Sequence, residues 1–232
     1  AEHPAPEWLA KAVYGLPEVR RDAIADATLI ASPGCYPTSI LLPLIPLLEA
    51  GLIDPRQIIA DSLSGVSGAG RNASLPFLYV ECNESLRPYG VPKHRHLSEI
   101  EQELGLANGS PVTVQFTPHL VPVNRGILTT LYLAPALGQA DDFDQWTTAV
   151  ADCLAKRYAD EPFVRITGSE RLPDTKNVIG TNSIEIGWAA DPRTQRLRVF
   201  SAEDNLVKGA SGQAVQSFNI RFGFAETAGL PI

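Results

Sequence analysis

Asn182-Ser183-Ile184-Glu185-Ile186-Gly187-Trp188-Ala189 and Leu197-Arg198-Val199-Phe200-Ser201-Ala202 flank the tetrapeptide Asp191-Pro192-Arg193-Thr194. Two runs rich in β-branched and aromatic residues, joined by a turn-forming segment, predict an antiparallel hairpin. Outward from it, strands are expected at residues 28–31, 57–63, 112–116 and 127–133. Helices are expected at 6–14, 16–25, 40–50, 97–104, 142–158 and 208–222. In the 142–158 segment Phe143, Trp146, Val150, Leu154 and Tyr158 share one helical face. Pro43 and Pro46 each remove a hydrogen bond from the 40–50 helix and predict a kink or break. The strands come in clusters and do not alternate strictly with helices. That pattern predicts an α+β fold, a mixed and mostly antiparallel sheet with helices packed mainly on one face.

Ser32-Pro33-Gly34-Cys35-Tyr36-Pro37-Thr38 follows a short apolar run and opens the helix at 40–50. A thiol in a first helical turn sees unpaired backbone N–H groups and the positive end of the dipole. Both favour thiolate, so Cys35 is expected to have a lowered pKa and to act as a nucleophile, with the N–H groups available to an oxyanion. The opposing expectation is a buried, inert cysteine.

Lys93-His94-Arg95-His96 precedes the helix at 97–104. A histidine there can take the thiol proton and return it, and the cations can hold a carboxylate or phosphate. The same tetrapeptide also reads as a solvated basic turn. Glu99, three residues after His96, either orients the imidazole or caps the helix. Residues 64–71, with three glycines, two serines and Arg71, read either as an anion-binding loop or as a plain connection. Residues 204–213 form another junction rich in small residues. Cys82, Cys153, His3 and His119 have no chemical neighbours in sequence and read as structural.

The chain has 232 residues, 44% of them hydrophobic, and a net charge of −7 without a basic tract. Nucleic acid and anionic membrane are therefore excluded as main partners. No run approaches the roughly 18 apolar residues of a membrane span, and the N-terminal residues lack the pattern of a signal peptide. Three cysteines without CxxC spacing suggest neither a disulfide framework nor a metal site, and a cytoplasmic, reducing setting is expected. No G-x-G-x-x-G follows a predicted strand.

Six stretches in order resemble the N-acetyl-γ-glutamyl-phosphate reductase family, relatives of aspartate-semialdehyde dehydrogenase. They are Pro33-Gly34-Cys35-Tyr36-Pro37-Thr38, Ser67-Gly68-Ala69-Gly70-Arg71, Lys93-His94-Arg95-His96 with Glu99-Ile100, Phe116-Thr117-Pro118-His119-Leu120, Asn124-Arg125-Gly126-Ile127-Leu128 and Asp204-Asn205-Leu206-Val207-Lys208-Gly209-Ala210. Ser32 stands where that family usually has Asn. The resemblance implies a catalytic domain like that of glyceraldehyde-3-phosphate dehydrogenase over residues 35–205. Residues 1–34 would be the end of a nucleotide-binding domain, and the helix in 206–232 would return to it. By the same resemblance Cys35 is the nucleophile and His96 the acid/base, with His94 its alternate. His94, Arg71 and Lys93 would contact the substrate, a small acyl phosphate, and Ser67, Gly68 and Asn205 would contact NADP(H). It further implies reduction of N-acetylglutamyl 5-phosphate through a cysteine thioester, and a homo-oligomer, tetramer or dimer. The family's glycine-rich fingerprint lies before the first residue here, which leaves a fragment or a separately supplied nucleotide domain as expectations. The alternatives are a sister reductase acting on aspartyl or aminoadipyl phosphate, a cofactor-independent Cys–His hydrolase or acyltransferase, and an inactive oligomerisation fragment.

Overall fold

The structure, a computed structural model, describes residues 5–138 and 142–232, so His3 lies outside the described residues. It begins with α1 (Pro6–Leu9), β1 (Val13–Tyr14), α2 (Pro17–Asp26) and β2 (Ile30–Ala31). β1 and β2 pair in parallel, Val13 opposite Ile30, and form a two-stranded unit bridged by α2. The helix expected over 6–14 therefore stops at Leu9. The β-branched and aromatic pair Val13-Tyr14 finds a strand partner instead.

The body of the fold contains α3 (Cys35–Glu49), β3 (Ile58–Ser64), α4 (Tyr79–Cys82), β4 (Arg87–Pro88), α5 (Leu97–Asn108), β5 (Val114–Leu120) and β6 (Ile127–Leu133). It continues through α6 (Phe143–Arg157), β7 (Val164–Gly168), β8 (Ile184–Asp191), β9 (Arg196–Glu203) and α7 (Gly212–Phe222). Seven strands form one sheet in the order β4-β5-β3-β6-β9-β8-β7. Neighbours run antiparallel except at β3–β5 and β7–β8. The fold is thus the mixed, mostly antiparallel sheet expected from the sequence. The β8–β9 hairpin closes with Asp191 opposite Arg196.

Burial alternates along the central strands. Ile58, Ala60, Val114, Phe116, Leu131 and Val199 face a core shared with α3, α5 and α6. Ile59, Leu63 and Tyr132 on the opposite face are 36–38% exposed. Helices cover one face and leave the other open.

α3 is buried from Tyr36 to Leu48, as a helix apolar on every side must be. It runs unbroken through Pro43 and Pro46, where a kink or break was expected. The reason lies in the carbonyls those prolines leave free. Pro43 lacks the N–H that would bond Ser39 O, and Pro46 lacks the one that would bond Leu42 O. The Ser201 hydroxyl on β9 donates to Ser39 O at 2.6 Å, and the Tyr158 hydroxyl after α6 donates to Leu42 O. With both acceptors satisfied, the helix has no buried orphan to bend around.

Candidate active site

Cys35 is the first residue of α3, and extended Gly34 caps the helix. The Gly34 N–H donates to the Glu99 carboxylate at 2.9 Å, and the Tyr14 hydroxyl donates to the same oxygen at 2.7 Å. Glu99, expected to orient His96 or cap its own helix, instead ties α5 to β1 and to the turn that presents the thiol.

His96 immediately precedes α5 and lies over that turn. A methyl group placed on Gly34 would meet His96 Nε2 at 2.6 Å, so a residue larger than glycine would push the imidazole away. His94 packs edge-on against His96 with ring centroids 4.9 Å apart, and its Nδ1 accepts the His96 backbone N–H at 3.1 Å. Tyr36 and Phe116 close the cluster from below, and the Tyr36 and Tyr89 hydroxyls share a 2.7 Å hydrogen bond. Around these side chains lies a cavity of about 370 Å3, lined by Cys35, Lys93, His94, Arg95, His96 and Gly68 among others.

The structure brings Cys35, His96, His94, Lys93 and Gly68 to one cavity. Arg71 is exposed and outside its lining. Ser67 and Asn205 stand behind the wall, where Asn205 Nδ2 donates to the Ser67 hydroxyl at 2.9 Å and the Gly126 N–H donates to Asn205 Oδ1 at 2.8 Å. The expected anion-binding loop is largely self-satisfied. The N–H groups of Gly65, Val66 and Ser67 bond the carbonyls of Gly126, Val123 and Asn124. A methyl on Gly65 would lie 2.8 Å from the backbone of Asn124 and Arg125, so this glycine serves that close approach. Arg95 lines the cavity beside Lys93 and completes the cationic side. Tyr36, Tyr89, Phe77 and Ser64 also line it. Sequence reading had Ser64 in the candidate loop and Tyr36 in the cysteine stretch without a role, and it missed Phe77 and Tyr89, since single aromatics carry no spacing signal. Cys82 is buried with its thiol on Pro76 O, and Cys153 is half-buried with its thiol on Pro46 O. His119 sits within β5, its ring Nδ1 buried and unpartnered.

The electrostatics differ from the expectation of a standing thiolate. Burial pushes the Cys35 thiol up to about 12, and the Glu203 carboxyl adds to the effect. The N–H groups of Tyr36 and Cys35 and the charge of Arg95 pull the other way but do not prevail. Burial, then His94 and Arg95, bring His96 down to about 4, so its imidazole is neutral at pH 7 and free to accept a proton. His94 is lowered for the same reasons, burial first and Arg95 second. Among the described residues no group of three or more His, Cys, Asp or Glu is arranged to hold a metal ion, and no helix is long and apolar enough to cross a membrane.

A cysteine at a helix start, a neutral histidine over its turn and two cations thus line one cavity. The pattern describing the "Semialdehyde dehydrogenase, dimerisation domain" family matches residues 35–205, and the chain belongs to that family. It is 58% identical to the N-acetyl-gamma-glutamyl-phosphate reductase of Akkermansia muciniphila over 98% of this chain and 64% of the relative. It is 55% identical to the N-acetyl-gamma-glutamyl-phosphate reductase of Geobacter metallireducens, with the same coverage, 98% and 64%. The chain thus spans a little under two thirds of the length of these relatives. Among solved structures, aspartate semialdehyde dehydrogenase II from Vibrio cholerae has the same fold, with a TM-score of 0.68 at 18% identity over 92% of this chain and 69% of that one. A probable aspartate-semialdehyde dehydrogenase from Pseudomonas aeruginosa gives a TM-score of 0.65 at 17% identity, over 91% and 68%.

Proposed function

We propose that this chain is the catalytic part of an NADPH-dependent oxidoreductase of arginine biosynthesis, one that converts N-acetylglutamyl 5-phosphate to N-acetylglutamate 5-semialdehyde and phosphate. The observation that carries this reading is the placement of His96 Nε2 against the turn before Cys35, at a cavity with Lys93 and Arg95 on its wall. The identity to the two reductases named above supports the choice of substrate.

The Cys35 sulfur attacks the carbonyl carbon, forming an S–C bond, while its proton passes to His96. The neutral imidazole makes this general-base assistance, suited to a thiol that burial keeps protonated. The C–O bond to phosphate breaks, and the imidazolium returns the proton to the departing phosphate. Lys93 and Arg95 face the anionic groups of the substrate, with His94 as a further contact, and Arg71 stays a candidate only if residues 64–71 turn inward. The N–H groups of Cys35 and Tyr36 hold the developing oxyanion. The wall at Gly65, Gly68 and Ala69 has little or no side chain beside Cys35 and fits a flat aromatic ring, which suits the nicotinamide end of NADP(H). Gly68 would hold that ring, with Ser67 and Asn205 fixing the wall behind it. When bound, the cofactor supplies the hydride that turns the Cys35 thioester into an aldehyde. Cys35 then departs as a thiolate and takes up a proton from solvent, which the neutral His96 imidazole, its earlier proton already given to phosphate, can relay.

Residues 1–34, with their parallel β1–α2–β2 unit, would be the end of a nucleotide-binding domain. α7 fits a return to that domain, because it exposes Phe218 and Phe222 beside Phe224 while burying Gln213 and Gln216. The open sheet face with Ile59, Leu63 and Tyr132 would be the contact between copies in a dimer or tetramer, and the setting cytoplasmic.

The test is stoichiometric phosphate release. The chain incubated with N-acetylglutamyl 5-phosphate should release one phosphate per Cys35 and gain the acyl mass on that residue. Cys35→Ser should do neither. Equal acylation by aspartyl phosphate would move the substrate assignment, and phosphate release without acylation would overturn the thioester.

A further inference from the structure

Behind Cys35, on the side away from the cavity, stands a carboxyl group that the proposed reaction does not use. Glu203 is the last residue of β9, 0% exposed, and neither of its oxygens has a hydrogen-bond partner. Its neighbours in the sheet are Ile127 on β6 and Ile184 on β8. The wide turn Val207–Ser211 carries Gly209 between this acid and the thiol. A methyl on Gly209 would lie 2.8 Å from Glu203 Oε1 and 2.8 Å from Cys35 Cβ. The Glu203 carboxyl and the Cys35 side chain therefore both close on the same side of Gly209, where not even one methyl group would fit between them.

A buried carboxylate without a partner is costly, so the group must keep its proton or find a counter-charge. Lys208 offers one, but its ammonium is already bonded to Glu18 at 2.5 Å and to Gln216 at 2.9 Å. Asp204 and Glu18 add like charge, and burial, the largest influence, works with them to hold the Glu203 carboxyl well above the ordinary carboxylate range. Facing Cys35 from the other side are Arg95, His96 and the N–H groups of its own helix.

We propose that Glu203 is a positioning residue that controls the ionisation of Cys35 from behind: the two acids share one negative charge, and the thiolate forms only while Glu203 keeps its proton. The proposal rests on Cys35 as the reactive thiol. It adds a second cause, after burial, for the most unexpected property of the site, a helix-terminal cysteine that is not a standing thiolate. Two acids coupled this closely titrate as a pair, with macroscopic steps belonging to both.

The experiment is iodoacetamide alkylation of Cys35 in the whole chain across about pH 6–12, a range running from below the free-thiol value to the raised value of Cys35. Peptide mass spectrometry resolves Cys35 from Cys153, whose rate reports on the integrity of the fold. Wild-type Cys35 should rise in two stages with a shoulder, because past the first step the charge is divided between the two acids. Glu203→Gln should rise in one stage and react about tenfold faster on the shoulder, the ratio that one unit of coupling gives. A second measurement needs no change at Glu203. In Cys35→Ala the infrared band of the protonated Glu203 carboxyl, identified by its absence in Glu203→Gln, should disappear at lower pH than in wild type. Superimposable alkylation profiles, or a band that titrates alike with and without the thiol, would overturn the role of Glu203 and leave Cys35 as nucleophile. A Cys35 that reacts at no pH would overturn both.

Discussion

The first turn of α3 has two sides built on opposite plans. The front is a partly open ring cluster, with His94 against His96 and the exposed cations Lys93 and Arg95 beside them. The back is sealed: Lys208 and Glu18, both 0% exposed, form an ion pair, and Glu203 sits unpaired next to them. Burial works against the Glu18 carboxylate, yet the charge and hydrogen bond of Lys208 hold it below the usual range. The difference teaches that the helix terminus does not by itself set the acidity of Cys35. What surrounds the turn on the dry side outweighs the dipole, and the front carries the neutral imidazole of His96, the proposed base.

The front is the place to look for the largest effect. With the complete enzyme, His96→Ala should lower kcat by about two to four orders of magnitude, the usual range for losing a general acid–base group. His94→Ala should act chiefly on KM. Steady-state kinetics on both variants would break the assignment if the two effects were exchanged. The back should respond in stability rather than chemistry. Lys208→Ala leaves Glu18 charged in a sealed site and should cost about 3–5 kcal/mol in denaturant unfolding, whereas replacing both partners with methionine should cost much less. Equal losses for the single and double changes would show that packing, not charge, holds the back together.

The smallest effect compares the two sides by pH. His96 has its pKa lowered in the fold, so the unfolded chain binds more protons once the pH drops below the ordinary value of 6.5. Stability should therefore decline from pH 6.5 toward about 4 and lose nothing further through His96 below that. Glu18, lowered in the opposite chemical sense, loses its contribution only as the pH falls through the carboxylate range. Urea midpoints measured against pH in wild type and His96→Gln should differ in slope within the first window and run parallel beneath it.

The same division explains what was legible in the sequence. The front is written in contiguous residues, Pro33-Gly34-Cys35 and Lys93-His94-Arg95-His96, and its candidate nucleophile and base, which the fold brings to one cavity, were named from the chain alone. The back is assembled from Glu18, Glu203, Lys208 and Gln216, which no short window contains. Glu99 was legible as a partner of something nearby but not of Gly34, because the bond spans sixty-five positions. In the fold, the β8–β9 hairpin and α6 announced themselves through turn chemistry and helical spacing. β4 was too short to show a period, at two residues. β7 went unpredicted because its partner, β8, is reached only through the loop after Gly168 and pairs in parallel. β5 continues past Phe116 through Pro118, which pairs in register with Ser62, a length that local propensity argues against.

The two prolines of α3 have a consequence for how the molecule comes together. A helix with prolines at positions 43 and 46 is a poor autonomous folder, since each proline removes a backbone bond and leaves an acceptor open. Those acceptors are filled by Ser201 and Tyr158, which lie 162 and 116 positions away from Ser39 and Leu42. The helix that carries the thiol is therefore conditional on β9 and the end of α6 having arrived. Cys35 is brought into place late, by the last third of the chain, and a nascent polypeptide ending before Tyr158 would hold this thiol in an unformed helix.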